Sequence, residues 1–139
     1  MNLFTYGTLM VPGIMHRVAG CVLQGVEVTL EGYVRHGVQG EQYPGIIEKA
    51  GSTVDGILYL DIGEEPLRRL DSFEGEMYSR ESVQVMRKND GRIMDAMVYV
   101  FKPEYVHLLT DSAWDLQIFL QNGKEIFERE YAGYGALPS

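Results

Sequence analysis

The chain has 139 residues, of which 45% are hydrophobic and 23% are charged. This length and composition predict one domain, residues 1–139, which is large enough to bury its own core without disulfide or metal staples. Its 12 basic and 20 acidic residues give a formal net charge of -8, which disfavours nucleic acids and anionic membrane surfaces as partners.

The first predicted elements are a short strand and a turn. Residues 3–6 are rich in aromatic and β-branched side chains and run directly into Gly7, which is typical of a strand that ends in a turn. Residues 11–18, with Pro12 near their start, predict a helix of one to two turns. From Val26 to Arg35 apolar and polar residues alternate, which predicts a half-buried strand.

The middle of the chain predicts a loop, two strands and a helix. Residues 36–45 contain three glycines and Pro44, which favour a long loop. A short strand is expected at residues 46–48 and another strand at 53–62. Residues 64–70 place acidic side chains before basic ones, as suits the dipole of a short helix.

The clearest local pattern is a hairpin with arms at residues 77–87 and 92–101. The arms are joined by residues 88–91, whose Asp-Gly step suits the positive φ angles of a hairpin turn. On the second arm the even positions from Met94 to Val100 are all apolar, so this face is expected to line the core.

Beyond Pro103 the pattern becomes helical, over about residues 104–131. Asp111 or Ser112 is a candidate cap for a helix that Asn122-Gly123 would end, and a second helical stretch is expected over 125–130. The tail 133–139 is expected to be loose. Strands without regular βαβ alternation, followed by helices, predict an α+β fold built on a mixed, curled sheet or barrel.

Several kinds of chemistry lack their usual motifs. The sequence contains no dinucleotide-binding or phosphate-binding glycine loop, no nucleophile elbow and no zinc-protease motif. The three histidines are isolated, and the single cysteine, Cys21, excludes an intramolecular disulfide and fits a small buried side chain better than a nucleophile. The lone cysteine, the absence of a basic leader and the absence of a membrane-length apolar run lead us to expect a cytoplasmic protein.

Two segments resemble the γ-glutamylcyclotransferase-like family, which includes the plant AIG2-like proteins and γ-glutamylamine cyclotransferases. The first is Phe-Thr-Tyr-Gly-Thr-Leu at residues 4–9, and the second is Leu-Asp-Ser-Phe-Glu-Gly-Glu-Met-Tyr-Ser-Arg at residues 70–80. Similar segments at 43–46, 54–59 and 96–100 follow the family order. The resemblance covers residues 2–101 and implies a small mixed β-barrel with flanking short helices.

The resemblance also implies an activity and its residues. In this family the α-amine of a small-molecule γ-glutamyl substrate attacks its own γ-carbonyl, which releases an amine and 5-oxoproline and needs no cofactor. Glu74 matches the family's acid/base, and the segment Tyr6, Gly7, Thr8 and Leu9 matches its substrate loop. Because an exposed glutamate has a pKa near ~4.3, the role requires burial beside Phe73 and Tyr78 to raise it.

Three further residues are candidates for substrate binding. Tyr78 and Arg80 match the Tyr-x-Arg of the family and would lie on one face of a strand. Arg80 has an alternative role as the ion-pair partner of Glu74 or Asp71. Tyr43, in the predicted loop, is the third candidate.

Two other functions fit the same residues. One is a binding module of this fold that recognises an amino-acid-like ligand without catalysis, and the other is a structural or interaction protein. An acyl-transfer enzyme requires Glu74 and the Tyr6 to Leu9 turn to face one cavity, whereas a structural protein does not.

Overall fold

The structure, a computed structural model, describes residues 1–130. Five strands form a closed barrel in the spatial order β1, β3, β2, β4, β5. The strands are β1 (Leu3–Thr5), β2 (Gly25–Gly37), β3 (Pro44–Tyr59), β4 (Tyr78–Arg87) and β5 (Ile93–Phe101). Strand β1 is antiparallel to β3 and parallel to β5, so the barrel is mixed. The predicted α+β fold is confirmed.

Short helices flank the barrel. They are α1 (Pro12–Ala19), α2 (Glu64–Glu74), α3 (Leu116–Ile118) and α4 (Lys124–Glu130). Helix α1 confirms the helix predicted over 11–18: Pro12 occupies its first turn, and Gly20 ends it at a φ of 81° with its N–H bonded to the His16 carbonyl. No helix among residues 1–130 is long and apolar enough to span a membrane.

The buried side chains form two clusters. One contains residues from all five strands and none from a helix, which places it inside the barrel; Val28, Leu58 and Val98 are completely buried there. The predicted apolar face of β5 belongs to this cluster, so the expectation is confirmed. The second cluster joins the outer face of the barrel to the helices and includes Ile14 and Leu70.

The long hairpin of β2 and β3 corrects three predictions. It pairs from Gly25 and Tyr59 to Gly37 and Pro44, so the loop expected at 36–45 is limited to residues 38–43, and the strands expected at 46–48 and 53–62 are one strand. A bulge interrupts the register after Glu31. Gly32 and Gly51, with φ of 85° and 86°, let the paired strands bend there without ending.

The helical part of the chain also differs from the prediction. Helix α2 extends beyond residue 70 to Glu74. Of the helical part expected over 104–131, Pro103–Leu108 form a 3₁₀ helix, and the α-helical run begins at residue 116, where the Asp115 side chain accepts from two amides as its cap. This run continues through Asn122-Gly123 as a π-helical turn. Gly123 does not end the helix; it permits close packing, because a Cβ there would lie 2.4 Å from Gln42 Oε1. The tail 133–139 lies outside the described residues.

Candidate active site

The segment after β1 forms a tight turn at the end of the barrel. Residues Thr8–Met10 form a single 3₁₀ turn, closed by a bond from the Met10 amide to the Gly7 carbonyl. Gly7 lies against the start of β3, where a Cβ would be 2.6 Å from Pro44 Cδ, so only glycine fits. The first amides of such a turn have no partner within the helix, which leaves N–H groups available to a ligand.

Arg35 of β2 stabilises this turn through a hydrogen bond. Its Nη1 donates to the Tyr6 carbonyl at 2.8 Å, and its guanidinium lies 5.5 Å from the centre of the Trp114 ring. Burial lowers the pKa of Arg35, although nearby acids including Asp55 partly offset the effect. Sequence alternation assigned Arg35 to the polar face of its strand and gave no sign of this contact.

Glu74 reaches the same place from α2. It is the last residue of the helix, whereas the sequence placed it just after a helix, and Gly75 ends the helix at a φ of 80°. The chain then enters β4 at Tyr78. The side chain of Glu74 therefore stands where a helix meets the barrel.

One cavity of about 60 Å³ contains most of the predicted site. All four residues of the predicted substrate loop line it, together with Glu74, Tyr78 and Tyr43. Its remaining wall is mostly aromatic and apolar, and consists of Phe4, Thr5, Pro44, Phe73, Tyr99 and Phe127. Glu74 and the Tyr6 to Leu9 turn therefore line one cavity.

The environment of Glu74 favours its protonated form. The residue keeps partial contact with solvent through the cavity, but it lies deep among protein atoms. Desolvation, and secondarily the negative charge of Asp71, raise the pKa of Glu74 to about 8. Its position at the negative end of the α2 dipole acts in the same direction. The sequence analysis required such a raised pKa for an acid/base role.

Three tyrosine hydroxyls around the cavity donate to protein acceptors. Tyr6 donates to the Tyr99 carbonyl at 2.5 Å, Tyr78 to the Pro44 carbonyl at 2.8 Å, and Tyr99 to Asp71 Oδ1 at 2.6 Å. Burial is the main cause that raises the pKa of Tyr6 and of Tyr99 far above the usual range. Both phenols therefore stay neutral.

Arg80 differs from the other candidates in its position. It is not among the residues that line the cavity, and its Nη1 lies 3.5 Å from Asp71 Oδ2. This is the ion pair that the sequence left open as its alternative role. Tyr99 and Phe127 line the cavity but were not predicted, because the first lies in a strand pattern that reads as mixed and the second in a helix without a motif.

No metal-binding cluster stands beside this cavity in the described part of the chain. Between residues 1 and 130, no group of three or more His, Cys, Asp or Glu side chains is arranged to hold a metal ion.

Residues 3–116 match the family model described as gamma-glutamyl cyclotransferase, AIG2-like. The chain belongs to this family. It is 30% identical to AIG2-like protein C of Arabidopsis thaliana over 126 residues, which are 91% of this chain and 73% of that protein. Two further AIG2-like proteins from the same plant are aligned over only 57% and 56% of their length, so the chain spans little more than half of each.

Solved structures share the fold of this chain. A solution structure of an Arabidopsis thaliana protein superimposes with a TM-score of 0.70 at 24% identity, over 99% of this chain and 84% of that one. A structure described as gamma-glutamyl cyclotransferase gives 0.63 at 17% identity, over 95% of this chain and 86% of that one. At these identities the likeness establishes the fold alone.

Proposed function

We propose that the chain is a γ-glutamylcyclotransferase, which converts a γ-glutamyl amine or peptide into 5-oxoproline and a free amine. Family membership supports the general class of reaction. The observation that carries the proposal is the position of Glu74, whose pKa is raised to about 8 and which lines one cavity with the Tyr6 to Leu9 turn. The carboxyl and the turn come from distant parts of the chain.

The proposed reaction is an intramolecular acyl transfer. The ionised Glu74 carboxylate removes a proton from the α-ammonium of the substrate, and the freed amine attacks the γ-carbonyl carbon to form the new C–N bond. The tetrahedral oxyanion then collapses as Glu74 gives this proton to the leaving nitrogen, and the bond to that nitrogen breaks. The Glu74 carboxylate next removes the second proton from the ring nitrogen and passes it to the released amine, which leaves as an ammonium. Atoms and charge balance without a water molecule or a cofactor.

The groups around the cavity have different roles in this scheme. A carboxyl whose pKa lies near 8 is a far better base for an ammonium than an exposed glutamate, because the pKa values of donor and acceptor are closer. The first amides of the 3₁₀ turn would hold the oxyanion or the substrate carboxylate. Tyr43 and Tyr78 would bound the γ-glutamyl chain, and Arg80 would act indirectly through Asp71.

The test is release of 5-oxoproline from a panel of γ-glutamyl amines and γ-glutamyl amino acids. The E74Q variant is expected to lose at least about a hundredfold in kcat/KM, since general acid/base catalysis is typically of that size or larger. The matched control is E76Q, which removes an equal charge from an exposed position two residues away and should retain the wild-type rate.

Three outcomes would count against the proposal. Absence of 5-oxoproline with every substrate in the panel would refute it, and so would full activity of a folded E74Q variant. Binding of γ-glutamyl compounds by calorimetry without turnover would favour the alternative, a binding module of the same fold.

A further inference from the structure

Asp71 lies one helical turn before Glu74 and contacts a residue of the cavity wall. Its Oδ1 accepts the Tyr99 hydroxyl at 2.6 Å, and Tyr99 is only 5% exposed. Its Oδ2 lies 3.5 Å from Arg80 Nη1. The Asp71 carboxylate thus accepts a hydrogen bond from β5 at one oxygen and forms an ion pair with β4 at the other, although Asp71 itself does not line the cavity.

The hydrogen bond fixes the direction in which the Tyr99 hydroxyl can act. A phenol carries one proton and can also accept hydrogen bonds. Because Tyr99 donates its proton to Asp71, its oxygen is left only as an acceptor for any other group. An acceptor on the wall suits a substrate ammonium, which has only donors to offer, and does not suit an oxyanion.

We infer that Asp71 is a positioning residue of this site, which acts on the reaction through Tyr99 by keeping the hydroxyl proton away from the substrate. The inference rests on the proposed cyclotransferase function and adds a residue to it. In this arrangement the Tyr99 oxygen orients the α-ammonium so that its proton points to Glu74. Arg80 keeps the Asp71 carboxylate in place for this contact.

The charge of Asp71 has a second effect, on Glu74. The titratable groups that line the cavity with Glu74 are Tyr6 after β1, Tyr43 before β3, Tyr78 of β4 and Tyr99 of β5. Asp71 of α2 and its ion-pair partner Arg80 of β4 lie next to Tyr99. Among them Asp71 contributes, after desolvation, to the raised pKa of Glu74. Removing its charge should therefore allow Glu74 to ionise at lower pH.

The experiment compares D71N, Y99F and the double variant with wild type. Each single variant should lose about tenfold to a hundredfold in kcat/KM, the range expected when a hydrogen bond to a charged group is lost. The kcat/KM of the double variant should be no lower than that of the less active single variant, because both changes remove the same interaction. Additive losses would overturn the inference.

The pH profile separates positioning from a merely structural role. In D71N the acidic limb of kcat/KM should move to lower pH, whereas in Y99F and in the conservative variant D71E, which keeps the charge, it should stay near its wild-type position. The titration of the free substrate ammonium is the same in all variants. The control E76Q should show neither the rate loss nor the shift.

A second readout keeps this test independent of the proposed function. The Glu74 carboxyl can be titrated by carbon NMR in wild type and D71N, and the Tyr99 ring carbon bonded to oxygen reports the loss of its hydrogen bond. If wild type releases no 5-oxoproline, the proposed function fails, but a lower Glu74 midpoint and a shifted Tyr99 signal in D71N would still support the contacts through which Asp71 acts. Unchanged signals, or an active D71N with wild-type kcat/KM, would overturn the inference.

Discussion

Gly7 determines, by the absence of a side chain, how closely the start of β3 approaches the turn after β1. A Cβ at this position would lie 2.6 Å from Pro44 Cδ and 2.8 Å from Cγ, within a rigid ring that cannot rotate away. In G7A the turn or Pro44 has to move. Because Tyr78 donates to the Pro44 carbonyl, that displacement would reach the cavity wall.

We predict that G7A loses about 1–3 kcal/mol of unfolding free energy, the usual cost of forcing extra atoms into a packed site, and that kcat/KM falls more than tenfold. Urea denaturation and the 5-oxoproline assay measure the two effects. The matched control is G13A in α1, where a Cβ would meet no atom within 4 Å and where alanine favours the helix. Equal behaviour of the two variants would contradict the prediction.

At the scale of residues, the sequence identifies the site as far as local motifs extend. The Tyr6 to Leu9 turn and Glu74 each lie in a short recognisable segment, and both line the cavity. Tyr99 and Phe127 complete its wall through packing between distant elements, which no window of neighbouring residues contains. The raised pKa of Glu74 likewise depends on burial, so the sequence states it only as a requirement.

At the scale of elements, β2 and the C-terminal segment together support the turn that carries the predicted substrate loop. Arg35 donates to the Tyr6 carbonyl, and the Trp114 ring lies beside its guanidinium, while the Trp114 Nε1 donates to the Gln42 carbonyl. Residues outside the two motifs therefore hold the position of Tyr6. A planar guanidinium that both stacks and hydrogen bonds is not replaced by an ammonium.

We predict that R35K lowers kcat/KM by about tenfold or more, because the loss of a hydrogen bond to a charged group allows the turn to shift. Steady-state kinetics with the best substrate of the panel measure the effect. The control R68K alters an exposed arginine of α2, whose pair with Glu65 lies on the surface and should contribute little. An R35K enzyme as active as R68K would show that the turn keeps its position without Arg35.

Elements whose hydrophobic residues follow one simple period can be predicted from the sequence. Elements that contain a glycine without ending at it cannot. The β4–β5 hairpin and α1 follow from alternation, turn residues and a proline near the helix start. Strand β3 differs from the two strands expected at 46–48 and 53–62, because Gly51, between them, lies within one bent strand. Gly123 is a similar case: glycine usually ends a helix, but here it allows Gln42 to approach a helix that continues.

At the scale of the whole molecule, barrel closure brings the site together. The parallel pairing of β1 with β5 places Leu3 beside Met97, and the antiparallel pairing of β1 with β3 places Thr5 beside Ile57. The turn after β1 is thereby fixed to strands from the middle and the end of the sheet.

Glu74 also links the stability of the whole barrel to pH. Below about pH 4.5 Glu74 is protonated in both the folded and the unfolded chain, so its folded-state pKa of about 8 does not lower the unfolding free energy there. Between these values only the unfolded chain releases the proton, so stability falls as the pH rises, by at most about 5 kcal/mol above pH 8. The E74Q variant does not lose this stability, because glutamine stays neutral.

We predict that the unfolding free energy of E74Q, measured in urea, equals that of wild type near pH 4 and exceeds it by several kcal/mol at pH 9. E76Q should follow wild type; parallel curves for E74Q and wild type would mean that Glu74 ionises as easily in the barrel as in water.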